Sequence, residues 1–210
     1  MSSFLGHSVT ALTVYIATEP INSSVSILSS LKCFFKRRNY LWLFWLIIIA
    51  SIPDLDYLVK AWQSSNNQGI RITHSIIFSL IMPSFTIAVL IVIGVKGKKL
   101  KIYSLQSIFA GLSHLFLDLF VGVTPLPLLL PVIDIPLKLP FGILPSAGKI
   151  DFNNYYFYRN LKLEMGILLP LLILVCISRQ KLNQLINIAA FFASLICLYH
   201  FIKIYLALPR

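Results

Sequence analysis

Three stretches of this chain, residues 72–95, 102–122 and 185–208, are apolar over the length that hydrocarbon demands of a crossing helix, roughly 20 residues. That feature excludes an ordinary water-soluble fold, because 210 residues enclose too little interior to hide these segments with the remaining apolar side chains. The composition agrees: 58% of the residues are hydrophobic and 12% charged, against about 25% charged in soluble domains. Disorder and coiled coil are excluded by the same balance. A disulfide scaffold is excluded too, since there are only three cysteines and Cys176 and Cys197 sit inside apolar runs. Residues 40–59 make a further span only if Pro53-Asp54-Leu55-Asp56 lies near its end, and residues 163–177 make a short one. Residues 4–17 are shorter still and can be a sixth span, a half-inserted helix or a signal peptide. No Lys or Arg precedes them and no clear small-residue cleavage site follows, which disfavours the last reading. The expectation is an all-α, polytopic membrane bundle of about five or six helices, one domain over residues 1–210.

Every second connection is basic. Lys32, Lys36, Arg37 and Arg38 precede the span at 40; Lys96, Lys98, Lys99 and Lys101 separate the next two; Arg179 and Lys181 separate the last two. The positive-inside rule places these connections in the cytoplasm of a plasma-membrane protein. The formal charge of +11 is therefore mostly a topology signal, and a nucleic-acid partner is not expected. The connection 123–162 then faces the other side. It holds Pro125, Pro127, Pro131, Pro136, Pro140 and Pro145, so it cannot be one helix, yet it stays apolar. An irregular apolar segment of that kind lies on or dips into the outer leaflet. Tyr155, Tyr156 and Tyr158 with Arg159 read as its interfacial anchor.

Beyond the loop charges stand His7, Asp54, Asp56, His74, His114 and Asp118, three of the four histidines and three of the seven acids. An ionisable group costs about 2.5–3.5 kcal/mol at mid-bilayer on insertion scales, so groups kept in spans point to function. The topology brings all six toward one membrane face. His114 and Asp118 are four apart, neighbours on one helix face, where they can share a metal ion, pair as ligand and orienting partner, or simply hydrogen-bond. If the chain is extended at Asp54 and Asp56, both carboxylates point one way. If it is helical they diverge by about 200°, and only one can bind. His200, near Lys203 in the last span, stands outside the pattern. Imidazole and carboxylate donors without thiolates suit zinc or manganese, and more than four candidates leave room for one or two ions.

At these residues the chain resembles the prokaryotic membrane-bound metal-dependent hydrolases related to the LexA-regulated inner-membrane protein, formerly a domain of unknown function. The resemblance rests on Gly6-His7-Ser8, Ser51-Ile52-Pro53-Asp54-Leu55-Asp56, Thr73-His74-Ser75 and Ser113-His114-Leu115-Phe116-Leu117-Asp118, with Gly122-Val123-Thr124-Pro125 as the following turn, and covers about residues 4–135. It implies a multi-span helical fold in which His7, Asp54, Asp56, His74, His114 and Asp118 are metal ligands. Members often place His-Arg-Gly before Thr-His-Ser, where this chain has Gly69-Ile70-Arg71-Ile72. More distantly, the ligand order is similar to that of zinc phospholipase C and P1 nuclease. Their later His and Glu ligands have no counterpart here, Asp134 and Asp151 being the acids of the outer loop.

The resulting expectation is a membrane hydrolase in which metal-activated water attacks a phosphoester or related ester, such as a phospholipid, at the non-cytoplasmic face. Asp54 is a ligand or general base, and Arg71 a cationic partner for an anionic substrate. Two alternatives belong to other classes: a non-catalytic protein stapled by a structural metal, and a metal-ion or proton transporter. Oligomeric state is not legible.

Overall fold

The computed structural model describes residues 2–18, 40–57, 71–122, 125–133, 135–146, 153–179 and 184–208. Outside them fall Lys32, Lys36, Arg37, Arg38 and Lys181 of the basic connections, Gly69, Ile70, Val123, Thr124, Asp134 and Asp151. Among the described residues the structure is helical: α1 (Phe4–Thr18), α2 (Tyr40–Ser51), α3 (Ile76–Val92), α4 (Gly97–Val121), α5 (Tyr155–Ser178) and α6 (Gln184–Leu206). Short 3-10 helices at Ile52–Tyr57 and Ile72–His74 follow α2 and precede α3. Helices α4, α5 and α6 are long and apolar enough to cross a bilayer, whereas α1 and α3 are shorter apolar helices. The large apolar side chains they turn outward, among them Ile81, Phe85, Phe116, Leu185, Phe192 and Ile196, suit a lipid surround.

Two boundaries differ from the sequence expectation. The helix after residue 71 starts at Ile76, where the Ser75 hydroxyl caps it by accepting from the Phe78 amide, so His74 lies in the preceding 3-10 turn and not two residues into the span. The proline-rich connection ends at residue 154. There the Asn154 side chain accepts from the Tyr156 amide and starts a 24-residue helix that takes in Tyr155, Tyr156, Tyr158 and Arg159. The expected short span is therefore a long one. The described residues of the proline-rich stretch are irregular as expected, with an isolated bridge between Leu126 and Leu137.

Helix α1 packs against α2, α4 and α5, and α4 also against α2 and α3. Ala11 and Tyr15 of α1 meet Leu46, Ile49 and Ala50 of α2 and Ala110 of α4 in one core cluster. A second cluster joins Leu117 and Val121 of α4 to Leu144 and to Ile167 and Leu168 of α5. Polar side chains bond across helices, as hydrocarbon requires: the Trp42 indole donates to Gln106 Oε1 and the Trp45 indole to Thr86 Oγ1. Gly111 sets the approach of α3 to α4. A Cβ there would lie 2.5 Å from the Ser79 carbonyl oxygen. The missing side chain lets His74, just before α3, reach His114, one turn past Gly111.

Candidate metal centre

Four elements deliver the site. Asp54 comes from the 3-10 turn after α2, His74 from the turn before α3, His114 and Asp118 from the last third of α4, and His7 from the first turn of α1. All lie at the end of α4 remote from its lysines, Lys98, Lys99 and Lys101. Asp54, His74, His114 and Asp118 each offer one ligand atom, and these atoms lie within 4.8 Å of one another. Of the six residues expected to meet, the structure brings these four together. His7 joins them from the side: its ring stacks on that of His114 at 4.0 Å between centroids, and its Nε2 lies 3.4 Å from Asp54 Oδ2. His7, His74, His114, Asp56 and Asp118 are fully or almost fully buried, and the Asp54 side chain keeps 23% of its surface exposed.

Hydrogen bonds behind the cluster decide which ring nitrogens face it. His114 Nδ1 lies 2.8 Å from the Ala50 carbonyl, which can only accept, so Nδ1 carries the proton and Nε2 turns a lone pair inward. Thr73 Oγ1 donates to Asp56 Oδ2 at 3.0 Å. Having spent its proton, that hydroxyl accepts from His74 Nδ1 at 2.9 Å, so the neutral His74 ring also turns an Nε2 lone pair to the cluster, the position its second proton takes when the ring is charged. The two Nε2 atoms meet at 3.2 Å. Asp118 Oδ2 lies 3.2 Å from His74 Nε2 and 3.7 Å from His114 Nε2. Asp54 Oδ1 lies 3.7 and 3.8 Å from the same two nitrogens.

Both of those carboxylate oxygens are buried and lack a hydrogen-bond donor. A buried acceptor left so is costly, and a set of them around two lone pairs is a place for a cation. The spacing fits one. Two nitrogens about 2.0–2.1 Å from a tetrahedral zinc stand about 3.3 Å apart.

Asp54 and Asp56 part company. A 3-10 helix turns three residues per revolution, so positions two apart face different ways. Asp54 turns to the cluster, while Asp56 takes Arg71 as a two-pronged partner, Nε to Oδ2 at 2.6 Å and Nη2 to Oδ1, and stays 3.8 Å from His74 Nδ1. Asp56 thus stands behind His74, joined to it through Thr73. Arg71 Nη2 also lies 3.7 Å from Asp54 Oδ1, and the guanidinium expected to meet a substrate is clamped by Asp56.

Asp54 and His74 sit in turns outside the helical spans. Burial disfavours the Asp54 carboxylate, but its contacts with His7 and His74 and the nearby His114 ring outweigh that and hold its pKa well below the carboxylate range. Burial likewise disfavours a charged His74, yet its contacts with Asp118 and Asp54 raise its pKa above the ordinary histidine value.

A family model described as YdjM inner membrane protein matches residues 1–206. The chain belongs to the YdjM inner membrane protein family. No curated protein and no solved structure matches it. In this YdjM family member a further buried acid completes the surroundings of the cluster. Glu164 of α5 is fully buried and accepts from the Ser3 amide with both oxygens, at 2.9 and 3.1 Å. It is not among the residues singled out from the sequence, although the rule that finds Asp118, a carboxylate kept inside an apolar helix, applies to it equally.

Proposed function

We propose that the chain is a membrane-embedded, metal-dependent hydrolase of phosphoester or related ester bonds, with its metal centre at the non-cytoplasmic face. The carrying observation is the pair of orphaned buried oxygens, Asp54 Oδ1 and Asp118 Oδ2, ranged around the inward lone pairs of His74 and His114. His74, His114, Asp118 and Asp54 would hold a divalent ion, best zinc given two nitrogen and two oxygen donors. Asp54 turns its other oxygen, Oδ2, to His7, which would thereby hold that carboxylate beside the ion. A bound ion supplies an acidified water and polarises the ester oxygen.

The chain's own groups do the rest. Asp56, Thr73 and the Ala50 carbonyl hold the two imidazoles in the ligating tautomer. Arg71 holds Asp56 in place through its two-pronged contact. Asp54, the partly exposed member, marks the side from which substrate and water would reach the centre. An open side favours catalysis over a closed structural site. A lipid ester as substrate is supported by an apolar cavity of about 450 Å³ between α1, α4, α5 and α6, whose wall includes Ser113 and Leu117, the residues preceding His114 and Asp118. The resemblance of the His7, Asp54-x-Asp56, Thr73-His74-Ser75 and His114-x-x-x-Asp118 set to membrane-bound metal-dependent hydrolases points the same way.

One specific observation favours the competing reading, a structural staple: three of the four cluster residues are almost fully buried. The test is metal analysis of detergent-purified protein beside His114→Ala and Asp54→Ala, with phosphodiesterase and lipid-headgroup release assays on the same samples. Bound zinc and hydrolysis, both lost in the variants, support the proposal. Unchanged metal content in both variants ends it, and metal without any hydrolysis assigns the staple.

A further inference from the structure

The segment ahead of α1 is tied down at both of its described residues. The Ser2 amide donates to Asp118 Oδ1 at 2.9 Å. The Ser2 hydroxyl lies 2.7 Å from His7 Nε2 and 3.3 Å from Asp118 Oδ1. Asp118 therefore spends Oδ1 on Ser2 and presents Oδ2 to His74 and His114. Ser3 is held in turn: its amide points at both oxygens of Glu164, and its hydroxyl accepts from the Gly6 amide, capping α1 one residue before His7. Gly6 leaves the room Glu164 occupies, since a Cβ there would stand 2.2 Å from Glu164 Oε1. A carboxylate is costly to bury in a membrane helix. None of its contacts is with Asp54, His74 or His114, so the proposed chemistry leaves it without a role.

We propose that Glu164 is a positioning residue of the metal centre: through the Ser3 amide it holds Ser2 against His7 and Asp118, so that Asp118 Oδ2 and the His7 ring face the ligand set. This rests on the metal-centre reading above and adds α5 to the elements that build it. The carboxylate works as a hydrogen-bond acceptor, so glutamine, which keeps one acceptor oxygen at the same reach, substitutes for it and alanine does not.

Two readouts on the detergent-solubilised full chain test it. The first is Zn²⁺ affinity by competition with a chromogenic chelator. Glu164→Ala is expected to weaken binding about 10–100-fold, the range typical of an outer-shell partner, and Glu164→Gln to recover most of the loss. Gly6→Ala, which keeps the carboxylate but pushes it off Ser3, should shift affinity in the same direction. The second needs no metal. In a chain carrying Ser2→Cys, with Cys33, Cys176 and Cys197 replaced by alanine, a water-soluble maleimide should label position 2 slowly. Labelling should be about tenfold faster with Glu164→Ala, the order expected from losing one buried hydrogen bond, and slow again with Glu164→Gln. Equal labelling in the three backgrounds overturns the proposal, as does faster labelling with unchanged zinc affinity. A wild-type chain that binds no zinc defeats the metal reading instead, and the labelling rates still decide whether Glu164 holds Ser2.

Discussion

His74 and His114, forty residues apart in sequence, face each other Nε2 to Nε2 at 3.2 Å, each with its other ring nitrogen bonded outward. Two lone pairs so placed repel unless a proton or a cation lies between them. Thr73 is what turns the His74 ring. Thr73→Val removes the hydroxyl that links His74 Nδ1 to Asp56 with little change in volume, so the ring loses its fixed tautomer. Metal affinity should fall about 10–100-fold, as for other outer-shell partners, and Thr73→Ser should retain it. Chelator competition on the purified variants checks this; equal affinity for the valine and serine variants would sink the tautomer argument.

The shifted groups predict a proton linkage. In the metal-free protein His74 has a raised pKa, so its contribution to stability is present below the unfolded-state value and lost as pH rises through the folded one. Asp54, with a lowered pKa, contributes above the ordinary carboxylate range and loses that only in strong acid. A metal ion must displace the His74 proton. Zinc binding near about pH 6.5 should release a proton, seen as a calorimetric heat that scales with the ionisation enthalpy of the buffer, and affinity should rise with pH. The unfolding temperature of metal-free protein should fall as pH rises through the His74 transition, while that of loaded protein should not.

Asp56 separates support from ligation. Its carboxylate is fully buried and clamped by Arg71, so Arg71→Ala takes away its two-pronged cationic partner, at a cost of up to about 3–5 kcal/mol. Lysine cannot reproduce the two-pronged contact, so Arg71→Lys should recover only part of that. Asp56→Asn should lower metal affinity while leaving the number of ions at saturation unchanged, whereas Asp54→Asn and Asp118→Asn should lower that number. Urea or thermal unfolding and metal titration on the same variants distinguish the two effects; an Asp56→Asn chain that binds fewer ions would make Asp56 a direct ligand.

Much of this was legible in the residues because hydrocarbon makes polarity expensive. The lipid-length runs gave the helical class, and the scarcity of acids made Asp54, Asp118 and the histidines stand out. The split between Asp54 and Asp56 was open, because it depends on whether the chain after Pro53 is extended or wound, and the 3-10 winding is a tertiary outcome. Glu164 is harder to read from the residues, because the apolar run begins at residue 163 and only the Asn154 cap puts the acid nearly three turns into a helix. The Ser2 contacts, made by backbone as much as by side chain, have no sequence signature at all.

Gly111 supplies the last prediction, because it touches no group of the site and yet sets the distance between two of them. A methyl at this position meets the Ser79 carbonyl at 2.5 Å and the Pro83 ring at 2.9 Å, backbone and a ring that cannot swing aside. Gly111→Ala must push α3 away from α4, at the cost of overpacking, about 1–3 kcal/mol. His74 immediately precedes α3 and His114 rides on α4, so the same displacement widens the gap between their Nε2 atoms. The expected result is a folded, less stable protein whose zinc affinity falls although all four cluster residues are intact. Alanine at Gly94 is the control for lost stability alone: nothing lies within 4 Å of its methyl, but a φ of +82° strains any side chain there, so it should lower the unfolding temperature and leave zinc affinity unchanged. Thermal unfolding and zinc competition on the two variants check it, and a Gly111→Ala chain with wild-type affinity would show that helix spacing does not govern the centre.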